Sequence, residues 1–275
     1  METLPERPFK RHEAIRLVLL LAGSITIGMI VAIGLHEIGH VLTLWYFGHA
    51  IKGFYLNPYY TSWVRSDPIF IDYVSAGGFF FSPTFSLIVW FIIILQKKRK
   101  AWAVWLSGII AITALFSNGV YMASDAIWGY YGDAAKLVHQ GNFAVWIMLA
   151  IGTLYISIGY LLAGQLFRHA GLHHIPLTTT IFLLEIALFT YTIPDEIYDY
   201  AIHVNGKNFT STFTSIFIPA IMAHFVPFIA RVKKLRWKDD TEDAFWKISW
   251  KQSIFIFHGG LLSMVLVLLF FGKPY

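Results

Sequence analysis

Residues 36–40 read His-Glu-Ile-Gly-His. On a helix, positions four apart share a face, so the imidazoles of His36 and His40 can bind one metal ion together. Glu37 then stands beside them, placed to take a proton from a water on that metal. The ion this pattern points to is zinc, which lowers the pKa of a bound water to about 7 and so makes a nucleophile at neutral pH. The chain has no cysteine. Thiolate sites and disulfides are therefore excluded, and any ligand must be His, Asp or Glu.

Two imidazoles leave the site one ligand short, because catalytic zinc usually takes three protein ligands and a water. Depth selects the candidates. The apolar run that carries the motif begins at Leu17, so His36 lies about 29 Å along it at about 1.5 Å per residue. A later apolar segment runs in the same direction and ends at Asp125, and Asp133 follows after Gly129 and Gly132. Both acids lie at the motif's end of the molecule. Asp67 and Asp72 lie there too, on a less constrained loop. Each acid has a plainer role open to it: Asp133 as N-cap of a helix starting at Ala134, Asp125 as a solvated helix end.

The elements that must position these groups are set by composition. Of 275 residues, 57% are hydrophobic and 13% charged, where a soluble domain carries about 25% charged residues. So much apolar surface cannot be hidden in one water-soluble core, and lipid is the natural solvent. Seven segments are long enough to cross a bilayer core of about 30 Å as helices of roughly 20 residues: Leu17–Leu35, Tyr73–Leu95, Ala101–Ser124, Gly141–Phe167, Ile175–Ile193, Phe209–Ala230 and Ser253–Gly272. Backbone polar groups must be satisfied inside lipid, which makes these helices. The first run is too long for the apolar stretch of a cleavable leader. The expectation is an all-α polytopic membrane protein with a single membrane domain over residues 1–275. Residues 17–138 form its catalytic core and 141–275 its accessory helices.

The net charge of +5 does not point to nucleic acid, because the basic residues cluster beside apolar segments, as membrane orientation requires. With the N-terminus cytoplasmic, the inner segments 1–16, 96–100, 168–174 and 231–251 hold four, four, one and seven Lys or Arg, which is 16 of the chain's 21. This favours an N-terminus inside and a C-terminus outside or in a lumen.

The HEIGH motif on a membrane helix, with SNGVYMASDAIWGYYGDAAKLV over residues 117–138, resembles the site-2 protease family of zinc intramembrane metalloproteases. In that family HExxH lies on one membrane helix and an Asp from a later Asn…Asp-Gly-Gly-type element completes the site. The resemblance implies that Asp133, in Asp133-Ala134-Ala135, is the third ligand. It implies that Asn118 helps bind substrate or the oxyanion. It also implies hydrolysis of a peptide bond in a membrane-anchored protein or peptide. The interval from Asn118 to Asp133 is longer than the family's compact spacing, which Asp125 fits, so both acids stay open. The second span's Gly77-Gly78 and Ser82-Pro83 are similar to a small-residue segment that relatives place near the active site. The charge count puts the metal toward the outer face, whereas many relatives carry it nearer the cytoplasm.

Between the first two spans, His49–Pro68 is rich in aromatic residues and carries an Asn57-Pro58 turn signal. It reads either as an interfacial aromatic belt or as a short hairpin whose edge takes an extended substrate by strand addition. Glu185, in the fifth span, reads as a hydrogen-bonded interior acid able to pair with His224 or His258. His169, His173 and His174 read as a charged interfacial turn. The rival to a protease is a non-catalytic membrane scaffold or metal-ion carrier that keeps the same fold. The intact Glu37 argues against the scaffold, and the scarcity of polar residues along the other spans argues against the carrier.

Overall fold

The computed structural model describes residues 9–56, 63–67, 72–128, 132–139, 141, 143–202, 224–231 and 247–270. Helix α1, Arg11–Tyr46, runs unbroken for 36 residues, about 54 Å at about 1.5 Å per residue. That exceeds the roughly 30 Å hydrocarbon core, so the HEIGH motif continues the spanning helix near one end of the bundle. The helix starts where the Lys10 backbone N–H donates to Glu13 Oε2 at 3.0 Å, and the acid also suits the positive end of the helix dipole. It stops at Gly48, whose φ of 76° is left-handed. There the His49 N–H reaches back to Leu44 O and the Gly48 N–H to Trp45 O, a Schellman closure that glycine makes cheap.

Strands β1 (Ala50–Tyr55) and β2 (Trp63–Asp67) follow and pair antiparallel, from Ala50 opposite Asp67 to Tyr55 opposite Trp63, with an irregularity between Ile51 and Gly53. The hairpin expected between the first two spans is therefore present; its turn, including Asn57 and Pro58, lies outside the described residues. Next come α2 (Asp72–Leu95), α3 (Ala101–Trp128), the short α4 (Asp133–His139) and α5 (Val145–His169). A 3-10 turn at Leu172–His174 leads into α6 (Leu177–Ile202), residues 224–230 are helical, and α7 spans Trp250–Phe270.

Among the described residues five helices are long and apolar enough to cross a membrane: α1, α2, α3, α5 and α7. The chain is thus a mostly helical, multi-pass membrane protein. Of the seven expected spans, the fifth appears as α6, whose apolar stretch is the shorter Leu177–Thr192. The sixth, Phe209–Ala230, lies outside the described residues up to 223. The fourth begins at Val145 rather than Gly141.

Helix α1 is the hub, packing against α2, α3, α6 and α7. One apolar cluster joins Leu17, Leu20 and Leu21 of α1 to Trp105 of α3 and Phe167 of α5. A second joins Phe79, Met122 and Ala126 to Ala134, Leu137 and Met148. This second cluster roots α4 against α2, α3 and α5, so a segment of only seven residues is held by packing rather than by its own helicity. The α1–α2 contact is close because Gly39 faces Gly77 backbone to backbone, as small residues permit between membrane helices. Ser82 Oγ donates to Ala32 O at 2.8 Å deeper in the same seam.

Candidate metal centre

One turn of α1 separates His36 from His40, and their ring centroids stand 4.7 Å apart. Both rings are buried, as are Glu37 and Asn118. The Nδ1 of His36 lies 2.8 Å from Asn118 Oδ1, and Asn118 Nδ2 donates to Ala114 O at 2.8 Å. With the amide nitrogen so engaged, Asn118 presents an acceptor to the ring, and His36 Nδ1 donates. His40 Nδ1 lies 2.7 Å from Val74 O, and a carbonyl can only accept, so this Nδ1 carries hydrogen too. Both rings thus turn Nε2 toward the same point. Carboxamide or carbonyl partners behind metal-binding histidines fix tautomer and orientation in this way.

At that point is Asp133. Its Oδ2 lies 3.1 Å from Nε2 of His36 and 3.1 Å from Nε2 of His40. Two lone-pair nitrogens against a carboxylate oxygen need a positive charge between them. Protons on both rings would place two imidazolium ions side by side in a buried site, which like-charge repulsion and desolvation oppose. One divalent cation meets the same demand without that conflict. At zinc–ligand distances of about 2.0–2.1 Å and tetrahedral angles, neighbouring ligand atoms stand about 3.3 Å apart, close to the 3.1 Å seen. All three ligand atoms lie within 4.8 Å of one another.

Two further features fit an ion there. A Cβ on Gly78 would stand 2.7 Å from His36 Nε2 and 2.8 Å from His40 Cε1. Only glycine at this position keeps the ligand face of the imidazoles clear. Glu37, on the same turn, is buried, its Oε2 without a hydrogen-bond partner among the described residues, and it is within electrostatic reach of His36, Asp133 and Lys136. A carboxylate oxygen is left unpaired in a buried site only at a cost, and a proton-transfer role is one reason to bear it.

The two acids left open by spacing are separated by the structure. Asp133 meets the imidazoles, and Asp125 does not. Asp125 Oδ2 instead accepts from the Ala135 N–H at 2.9 Å and so caps the first turn of α4. The capping role open to Asp133 is filled by Asp125, which frees Asp133 for the rings. Asp133 is held further by Lys136 Nζ, 3.9 Å from its Oδ1. Its N–H donates to the Tyr121 hydroxyl at 3.3 Å. Burial alone favours its neutral form, whereas positive charge at the imidazole edge it faces holds the carboxyl well below the usual carboxylate range. Asn118, expected near substrate, sits behind His36 with both ends of its amide engaged.

Elsewhere, Glu185 Oε1 pairs with His224 Nε2 at 3.1 Å. His173 departs from the charged turn expected for 169–174: it is buried. Desolvation, with the nearby charges of His174, Arg168 and Arg231, pulls its pKa down to about 4, so it is neutral at pH 7. Among the described residues, His36, His40 and Asp133 are the one group placed to hold a metal.

Sequence reasoning missed Tyr121 and Phe79. The Phe79 ring meets His36 edge-on, with centroids 5.2 Å apart, and Tyr121 lies 6.0 Å from the same ring. One signal was available: Tyr121 lies three residues after Asn118, hence on the same helix face. Comparison with protein-family models, curated proteins and solved structures finds no match to this chain.

Proposed function

We propose that the chain is a zinc-dependent intramembrane protease of the site-2 protease type, cleaving a peptide bond of a membrane-anchored substrate. The observation that carries the reading is the convergence of His36 Nε2 and His40 Nε2 on Asp133 Oδ2 at 3.1 Å, beside a buried Glu37 with one oxygen unpartnered among the described residues. When bound, zinc supplies Lewis acidity for the scissile carbonyl and acidifies the attacking water. His36, His40 and Asp133 hold the ion, while Asn118 and the Val74 carbonyl hold the rings. Glu37 takes one proton from the water as its oxygen bonds to the carbonyl carbon. Glu37 then passes that proton to the amide nitrogen, and the C–N bond breaks to give a carboxylic acid and an amine.

The position of the site supports a membrane-anchored substrate. It lies toward the C-terminal end of α1, next to the β1–β2 hairpin, where an extended segment leaving the bilayer can reach it. The Lys and Arg distribution favours the outer or lumenal side for this end. The test is Glu37→Gln in the full chain. The variant should retain one zinc per chain and lose cleavage of a membrane-anchored reporter peptide. Cleavage retained by Glu37→Gln rules out this mechanism. A chain with a freely exchanging metal and no hydrolysis identifies a carrier instead.

A further inference from the structure

Peptide hydrolysis puts negative charge on the carbonyl oxygen as the water attacks, and a preorganised donor aimed there is worth more than in water. Around the metal centre few donors remain for this task. Asn118 is spent, its amide shared between His36 and Ala114. Lys136 is drawn to Asp133 Oδ1. Tyr121 differs from both. Its hydroxyl oxygen accepts from the Asp133 N–H, and among the described residues no protein acceptor takes the hydroxyl hydrogen. A phenol with its acceptor side engaged can direct its one proton elsewhere. Its ring is wedged between Phe79, with centroids 5.5 Å apart, and His36, which limits its rotation. The residue as a whole is 38% exposed, unlike the buried imidazoles. It thus touches two of the residues placed to hold the metal, His36 through its ring and Asp133 through its hydroxyl.

We propose that Tyr121 donates its phenolic hydrogen bond to the oxygen of the scissile carbonyl as negative charge develops there. This rests on the protease reading and assigns to Tyr121 the electrophilic role that the family resemblance would give to Asn118. The donor is anchored by a ligand's own backbone, since the Asp133 N–H that holds Tyr121 belongs to the residue that binds metal. The hydroxyl and the metal are thereby kept in register by one short helix.

The experiment compares wild type, Tyr121→Phe and Glu37→Gln as full chains in lipid vesicles. Three readings are taken: zinc affinity by chelator competition, steady-state cleavage of a fluorogenic membrane-anchored peptide, and binding of a phosphinic peptide. The phosphinic oxygens copy the tetrahedral carbon's, so the phosphinic peptide reports the donor without turnover. Tyr121→Phe should lower kcat roughly 10²- to 10³-fold, as loss of one such donor does, with KM changed little. It should weaken phosphinic peptide binding at least tenfold and leave zinc affinity within threefold of wild type. Wild-type-like kcat and phosphinic peptide binding would overturn the assignment. So would a fall in zinc affinity that accounts for the lost activity, since that marks a structural prop for α4. Wild type that neither holds zinc nor cleaves overturns the protease reading and this assignment together; zinc and cleavage intact in Tyr121→Phe overturns this assignment alone.

Discussion

Gly78 offers a demanding perturbation, because a single methyl group there is aimed at the ligand atoms. In Gly78→Ala the new Cβ would lie 2.7 Å from His36 Nε2 and 2.8 Å from the Cε1 atoms of His36 and His40. Ordinary contact begins at 3.4 Å, so something must move by about 0.7 Å, well beyond the roughly 0.2 Å within which metal–ligand distances are held. The rings cannot swing freely, since their Nδ1 atoms are tied to Asn118 and Val74. Moving α2 outward would break the 2.7 Å bond from His40 to Val74 O. Overpacking of this kind costs about 1–3 kcal/mol. At about 1.4 kcal/mol per factor of ten, that is roughly a 5- to 150-fold loss of zinc affinity. The assay is competition with a chromogenic chelator on purified full-length protein, with helix content by circular dichroism as the folding check. Gly34→Ala is the control, because among the described residues a Cβ there meets only Leu56 Cδ2 at 3.7 Å. Gly34→Ala should bind zinc as wild type does. Zinc affinity unchanged in Gly78→Ala would refute the placement of an ion in front of these rings.

Other outcomes follow from the same geometry. Asn118→Ala removes the acceptor behind His36 and should lower zinc affinity about 10- to 100-fold, as loss of an outer partner does, measured by the same competition. Asp125→Ala removes the cap of α4 and should cost about 0.5–2 kcal/mol of thermal stability while one zinc is retained, checked by melting and metal analysis. His173 has its folded pKa pulled down to about 4 from about 6.5 unfolded. The unfolded chain therefore binds more protons between these values, and stability falls as pH drops through that window. His173→Gln should flatten the fall in melting temperature between pH 6.5 and 4; an unaltered slope would assign it to other groups.

Much of the centre could be read from the chain because its parts are local. His36, Glu37 and His40 lie within one helical turn, and HExxH in an apolar run admits few plain explanations. The third ligand needed tertiary information. Spacing favoured Asp125 and motif favoured Asp133, and only the packing of α4 against Phe79, Met122 and Met148 shows which carboxylate turns toward the rings. Asn118 was singled out by the resemblance alone, and which side of His36 it occupies depends on the rotation of α3 against α1. Tyr121 offered only its place three residues after Asn118: aromatic residues are common in membrane helices, and its significance comes from the neighbouring Asp133 N–H. Gly78 was placed near the site by the resemblance alone, and its closeness to the imidazoles depends on the register of α2. The fifth span illustrates the limit at the level of the fold: hydropathy finds the apolar stretch, while Pro176 and the turn at Leu172–His174 set where the helix begins.

The central claim is that two nitrogens of α1 and one oxygen of α4 share a single ion. X-ray absorption at the zinc edge on full-length protein tests it most directly. One zinc per chain should appear, with two imidazole nitrogens and a carboxylate oxygen at about 2.0–2.2 Å. Asp133→Asn should alter that coordination and weaken binding, whereas Asp125→Asn should not. A spectrum without imidazole scattering, or one altered by Asp125→Asn and indifferent to Asp133→Asn, would contradict the account.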